Sequence, residues 1–190
     1  HGLFAEMFPA TEQELAQDKE FLRFVLAAVR NTDRRVHAGK SVTPMFLLGV
    51  FFWAPVRKLA EIRRVQEKIS ESQALSVAAY DLAAQQQRRI SIPRRFTVPM
   101  REMLALQPRF LQMRGKRAMK LLSHRRFRAA YDFMVLRARA GQVEGEVADF
   151  WTDAQTQSAD ERAASFQLNA RPAKQRRPRG RRRRKKSQNP

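Results

Sequence analysis

Pro44-Met45-Phe46-Leu47-Leu48-Gly49-Val50-Phe51-Phe52-Trp53-Ala54-Pro55-Val56 is a run of thirteen residues without a single charge. A membrane-spanning helix needs about twenty such residues, so this run is too short to cross a bilayer. It also lacks the strict apolar-polar alternation of a half-exposed strand. Pro44 has the fixed φ that suits a first helical turn, and Phe46, Leu47, Val50, Phe51 and Trp53 then fall at helical spacing. The run therefore predicts a helix that is apolar nearly all round and buried, around which other helices must pack. No strand pattern competes elsewhere, and the fold class is all-α, an irregular helical bundle.

Upstream, Thr11 and Glu14 have the spacing of a capping box, and Phe21, Leu22, Val25, Leu26 and Val29 follow at helical intervals until Asn31-Thr32-Asp33. A first helix is expected over 12–30. Downstream, Leu59, Ile62, Val65 and Ile69 predict a third helix, and the alanine- and glutamine-rich Leu75 to Arg89 a fourth. Ile90-Ser91-Ile92-Pro93 must leave the helix, because the residue before proline is pushed out of the α region. Pro99 is expected to open the next helix, Pro108 to restart or kink it, and Gly115 to separate it from a short helix over Lys116 to Leu122. Phe127, Ala130, Tyr131, Met134, Val135 and Ala138 trace one more face, and Val143 to Trp151 a last amphipathic stretch, with order ending near Gln157.

Charge divides the chain differently. Of 190 residues, 38 are Lys or Arg and 18 are Asp or Glu. Residues 88–128 hold thirteen basic residues against one acid, Glu102, and 171–186 hold eleven against none. These counts predict three regions: a helical part over 1–87, an arginine-rich helical part over 88–157, and a disordered polybasic tail over 158–190. The tail's Arg, Lys, Pro and Gly cannot offset the entropy of ordering. A solvated helix face mixes both signs of charge, whereas this pattern fits contact with a polyanion, where clustered cations release counterions from phosphates. The candidate nucleic-acid contacts are Arg94, Arg95, Arg109, Arg114, Lys116, Arg117, Lys120, Arg125, Arg126 and Arg128, with Arg181, Arg182, Arg183 and Arg184 in the tail. Phe96 and Phe110 border prolines and are candidates for stacking unpaired bases. Phe127 and Tyr131 are expected in the core, and Trp53 and Trp151 in packing.

Catalytic patterns are missing from these residues. Gly39-Lys40-Ser41 ends like a phosphate-binding loop, but Arg34 stands where the earlier glycine is required. His1, His37 and His124 have no metal-ligand spacing, no Asp-x-Asp pair occurs, and the absence of cysteine removes disulfides and thiolates and fits a cytoplasmic setting. No metal site is expected. The opening at His1 suggests a piece of a longer chain.

Several blocks together resemble the bacterial poly(A) polymerase family, in its C-terminal half with the arginine-rich region. They are Asn31-Thr32-Asp33, Pro44, Phe52-Trp53, Ile92-Pro93-Arg94-Arg95, Leu106-Gln107-Pro108-Arg109-Phe110, Gly115-Lys116-Arg117-Ala118, Leu121-Leu122, His124 and Phe127-Arg128-Ala129-Ala130-Tyr131-Asp132. The resemblance covers about 1–155, and the tail matches only in being polybasic. It implies a neck-body-leg helical array that holds single-stranded RNA 3′ ends for an N-terminal catalytic head. ATP and Mg2+ would bind in that head, and RNA-decay proteins are further implied partners. Two alternatives stand beside it: a stand-alone basic helical protein binding duplex nucleic acid, and the helical half of a tRNA nucleotidyltransferase. Membrane-surface binding through the tail lacks an apolar anchor.

Overall fold

A computed structural model describes residues 2–167. Within them the chain folds into helices α1 (Leu3–Met7), α2 (Pro9–Gln17), α3 (Lys19–His37), α4 (Pro44–Glu67), α5 (Glu71–Gln86), α6 (Arg94–Ala105), α7 (Gly115–Leu122), α8 (Phe127–Arg139), α9 (Gly145–Thr156) and α10 (Ala159–Ser165). A 3₁₀ turn, Gln107–Leu111, joins α6 to the segment before α7. No strand occurs among the described residues, and no helix there is long and apolar enough to cross a membrane. The all-α expectation holds.

The uncharged run does form the central helix. Gly49, Val50, Phe52, Trp53, Ala54, Pro55 and Val56 are all buried, and α2, α3, α5, α6 and α8 pack around α4. The expected break after Val56 does not occur, and α4 continues through Pro55 to Glu67. A proline inside a helix removes the bond to the carbonyl four residues back, here that of Phe51. Thr11 fills the vacancy: its Oγ1 donates to the Phe51 carbonyl at 2.8 Å. Thr11 is therefore buried inside α2, where it cannot cap. The cap is Asp18, whose carboxylate accepts from the amides of Glu20 and Phe21 at 2.9 and 2.8 Å and starts α3. A residue so placed contributes about 1 kcal/mol. Asn31-Thr32-Asp33 does not end α3, because Thr32 turns its hydroxyl back to the Ala28 carbonyl and the helix runs on to His37.

Two other expectations move. The helix predicted to open at Pro99 begins a turn earlier, at Arg94, and the carbonyl that Pro99 leaves without a helical partner belongs to exposed Arg95. Order does not end near Gln157. Ser158 and Glu161 form a reciprocal capping box for α10, and Phe166 beyond it is fully buried. The apolar periodicity of α3 and of late α4 also overstates burial, since Leu22, Leu26, Val29, Ile62 and Val65 are exposed.

Two aromatic assemblies organise the core. Phe133 of α8 meets Phe24 of α3 and Phe46 and Trp53 of α4 edge-on, at 5.1, 5.9 and 5.4 Å between ring centres. Around Trp151 of α9 gather Phe110, Phe127 and Phe166, at 5.2, 6.0 and 5.7 Å, and the indole N–H donates to the Phe110 carbonyl at 2.8 Å. Such pairs add about 0.5–1.5 kcal/mol each beyond area burial. The core runs without interruption from Phe8 to Phe166, so the change of charge at residue 88 is not a break in packing.

At Gly49, α4 lies close against α6. A Cβ there would meet Met103 Cε, with Leu104 and Met100 atoms 3.6 Å away. Since Met103 Cε is the end of a flexible side chain and alanine favours helix by about 1 kcal/mol over glycine, Gly49→Ala should be nearly neutral. Gly49→Leu should destabilise by about 3 kcal/mol through overpacking, a difference that urea denaturation of the two variants measures.

Candidate nucleic-acid interface

Helix N-termini carry partial positive charge, and acidic residues in the first turn normally complement it. Most helices here follow that rule, with Glu12, Glu20, Glu71, Glu146 and Asp160 in the first turns of α2, α3, α5, α9 and α10. Three consecutive helices, α6, α7 and α8, reverse it. None has an acid in its first turn, and none has a side-chain cap. Instead Arg94 and Arg95 open α6, Arg114 precedes α7 with Lys116 and Arg117 inside it, and Arg126 precedes α8 with Arg128 inside it. Each such cation costs about 0.3–1 kcal/mol against the dipole. In return, the positive ends of three helices and cationic side chains sit together, which suits phosphate oxygens.

Arg94, Arg95, Arg114, Lys116, Arg117, Lys120, Arg125 and Arg128 are exposed, and Arg109 and Arg126 half-buried. On α7, Ala118 and Leu121 face the core while Lys116, Arg117 and Lys120 face solvent. The helix is held at its start by α10, because the amide of Gly115 donates to the Phe166 carbonyl at 2.7 Å. Gly115 itself takes a left-handed φ of +80°, which favours glycine. Lys116 and Lys120 line a shallow groove with Met119 and Arg162.

Glu102, the single acid of 88–128, organises the turn between α7 and α8. It accepts from Arg126 Nε at 2.8 Å and from Arg125 Nη2. Burial opposes ionisation of Glu102, but the bonds from Arg126 and Arg125 outweigh it and hold the carboxyl below its ordinary range. Arg128 pairs with Asp132 at 3.3 Å. Arg125, Arg126 and Arg128 face α3 across a cavity of about 300 Å³ that Asn31, Thr32 and Arg35 also line. By contrast, Arg94, Arg95, Arg109, Arg114, Lys116, Arg117 and Lys120 have no carboxylate partner among the described residues.

The stacking expectation is half overturned. Phe110 is fully buried between Phe127 and Trp151, leaving no face for a base. Phe96 is half-buried, and the Arg95 guanidinium stands 4.9 Å from its ring centre. Phe127 and Tyr131 are buried as expected. The exposed aromatic beside the cations is Tyr80, 60% exposed on α5, with the Arg101 guanidinium 5.5 Å from its ring centre. Tyr80, Arg94 and Arg101 line one groove of about 330 Å³ with Gln87 and Thr97. Arg181 to Arg184 lie outside the described residues. Tyr80, Arg101 and Arg35 carried no signal of their own: one is a lone aromatic in an alanine-rich helix, and the others gain meaning only from the neighbours that folding brings.

A family described as the Polymerase A arginine-rich C-terminus matches residues 67–186. Poly(A) polymerase I of Escherichia coli O6:H1 is 31% identical over 185 residues, covering 94% of this chain and 40% of the relative. The poly(A) polymerase I proteins of Haemophilus influenzae and Salmonella typhi are 30% and 31% identical over 173 and 185 residues. The chain thus spans about 40% of the length of the curated relatives it matches.

His124 lies within the arginine cluster, and its Nδ1 accepts from the Arg126 amide at 3.1 Å. Burial, then the neighbouring Arg109, Arg125 and Arg126, push its pKa below 6.5, with Glu102 opposing. A depressed histidine pKa contributes stability that is present above the ordinary value and lost as pH falls through the folded one. Thermal unfolding should therefore show a midpoint that drops between pH 7 and pH 5 in the wild type and drops less in His124→Gln. The contribution of Glu102 is lost only below the ordinary carboxylate range, so the two windows separate.

Proposed function

This chain belongs to the Polymerase A arginine-rich C-terminus family, and from that membership we propose that it is the RNA-holding part of a template-independent poly(A) polymerase. In this reading the enzyme adds adenylates from ATP to RNA 3′ ends, and the residues described above grip the RNA backbone while a catalytic head outside this sequence performs the transfer. The observation that carries the proposal is the reversed charge of three successive helix N-termini. Cations there work against the folded state, and a row of phosphates is the partner that turns that cost into binding. The polymerase name of the relatives supports an RNA partner over duplex DNA.

Among the described residues, no three His, Asp or Glu side chains are arranged to hold a metal ion. None of these residues is assigned to the Mg2+ or ATP implied by the family, and no step of the transfer is derived from them. What this chain's residues do is bind and orient. Arg114, Lys116, Arg117 and Lys120 present one cationic strip. Arg94 and Arg101 beside Tyr80 present a second, where a base can stack on the exposed ring. Base stacking contributes about 1–3 kcal/mol per base and tolerates any sequence, as an enzyme that extends many RNAs requires.

Binding of a 5′-hydroxyl oligoadenylate, followed by fluorescence anisotropy, should weaken about a hundredfold between 50 and 200 mM salt, as about five single-strand phosphate contacts predict. A response flat in salt, or a clear preference for duplex DNA of equal length, would defeat the proposal. Replacing Arg114, Lys116 and Arg117 together by alanine should cost at least tenfold in affinity with an unchanged unfolding midpoint. Tyr80→Ala should weaken oligoadenylate binding about tenfold and leave the salt slope unaltered, because it removes stacking and no charge. Deleting 171–190 should also weaken binding without loss of helical circular dichroism.

A further inference from the structure

A cavity of about 380 Å³ opens between the middle of α4, the start of α5, the 3₁₀ turn and the end of α8. It shares no lining residue with the grooves of the basic surface. Its size lies at the lower end of small-ligand sites, about 300–1,000 Å³. Arg137 lines it, and although the residue is not wholly enclosed, its guanidinium lies deep, 4.4 Å from the centre of the Trp53 ring. Nη1 donates to Gln107 Oε1 at 3.1 Å, while Nε has no hydrogen-bond partner among the described residues. Gln107 cannot turn its amide over, because its nitrogen already donates to the Met103 and Ala130 carbonyls. Arg57, exposed at the rim, brings a second guanidinium to 5.9 Å from the same ring centre.

Neither Arg57 nor Arg137 has a carboxylate partner among the described residues. The other rim cations are engaged, Lys58 by Glu14 at 2.7 Å and Arg64 by Glu61 at 2.9 Å. Glu71 is the remaining carboxylate of the lining. Burial, and then Arg57, push the Arg137 pKa down to about 9, with Glu71 opposing, so the side chain remains a cation at neutral pH. A buried cation held only by an amide oxygen and an aromatic face is an expensive way to pack a helix end. Arg63 and Arg126, two further half-buried guanidiniums of the bundle, are each paired with carboxylates. With Lys58 paired to Glu14 and Arg64 to Glu61, Arg57 and Arg137 against Glu71 leave the lining one excess positive charge, which suits a phosphate oxyanion. The planar guanidinium fork also suits phosphate oxygens.

We propose that this cavity is a phosphate-binding site, in which Arg57 and Arg137 hold the phosphate group of a small anion, either inorganic phosphate or a nucleoside monophosphate. The site is independent of the RNA-holding surface.

The test is isothermal titration of the whole chain with inorganic phosphate and, separately, AMP, at ionic strength held constant with sodium chloride. Saturable binding is expected, abolished in Arg137→Met and weakened at least tenfold in Arg57→Met. Because Arg57 is exposed, Arg57→Met should fold whatever Arg137→Met does. AMP binding tighter than phosphate, with the same sensitivity to Arg57→Met, would identify the anion as a nucleotide, and equal affinities as free phosphate. The Arg114, Lys116 and Arg117 triple alanine variant should bind phosphate like the wild type even where it loses oligoadenylate, which keeps this site separate from the RNA reading. Absence of saturable binding, or wild-type affinity in Arg57→Met, would overturn the proposal. So would displacement of phosphate by a 5′-hydroxyl oligoadenylate and not by AMP, which would transfer the cavity to the RNA surface.

Discussion

The amide of Gln107 is the contact on which the C-terminal half depends. It is 1% exposed, yet it makes three hydrogen bonds: two from its nitrogen to the carbonyls of Met103 and Ala130, and one to its oxygen from Arg137. A buried polar group that loses its partners costs about 1–3 kcal/mol, so the amide fixes the geometry of everything it touches. It ties the end of α6 to the first turn of α8 and determines where Arg137 points. The 3₁₀ turn that begins at Gln107 delivers Phe110 to the Trp151 assembly, and that assembly holds Phe166, just beyond α10, whose carbonyl holds the start of α7. The cationic strip of α7 is therefore positioned by a chain of buried contacts that begins with one neutral side chain.

What was legible in the sequence followed local chemistry. The uncharged run over 44–56 announced a buried helix, Gly115 announced a boundary, and the charge count over 88–128 located the basic helices. The losses came where a local signal had a distant answer. Thr11 and Glu14 have capping spacing, but Thr11 bonds to Phe51 and Glu14 to Lys58, both on α4. Leu59 to Ile69 read as a separate helix and Pro99 as a helix start, yet α4 runs on to Glu67 and α6 begins at Arg94. Phe110 beside Pro108 read as a surface aromatic because nothing local shows that a 3₁₀ turn drives it inward. Phe166 sits alone among small and polar residues, and only its contacts with Phe150 and Trp151 show that order extends past Gln157.

The candidate site was legible in type and less so in arrangement. Counting cations found the strip on α7, since four cations within Arg114 to Lys120 need no tertiary information. It did not find that Arg125 and Arg126 share Glu102, that Arg35 joins them from α3, or that Tyr80 is the aromatic left open. It also passed over Arg57 and Arg137, which lie outside the dense run. Arg137 stands apart in its setting: buried against Trp53 with no carboxylate paired to it among the described residues, it keeps a charge that only Glu71 of the same cavity offsets.

The bond from Thr11 to the Phe51 carbonyl has a consequence for how this chain can change over time. While position 55 lacks an amide hydrogen, the hydroxyl at 11 is the donor that satisfies the Phe51 carbonyl. Any other residue at 55 would bring an amide to the same oxygen, which Thr11 would then share. Conversely, losing the hydroxyl first strands the carbonyl inside the protein. The two positions, forty-four residues apart, therefore meet at one carbonyl, and the cost of losing the hydroxyl depends on what stands at 55.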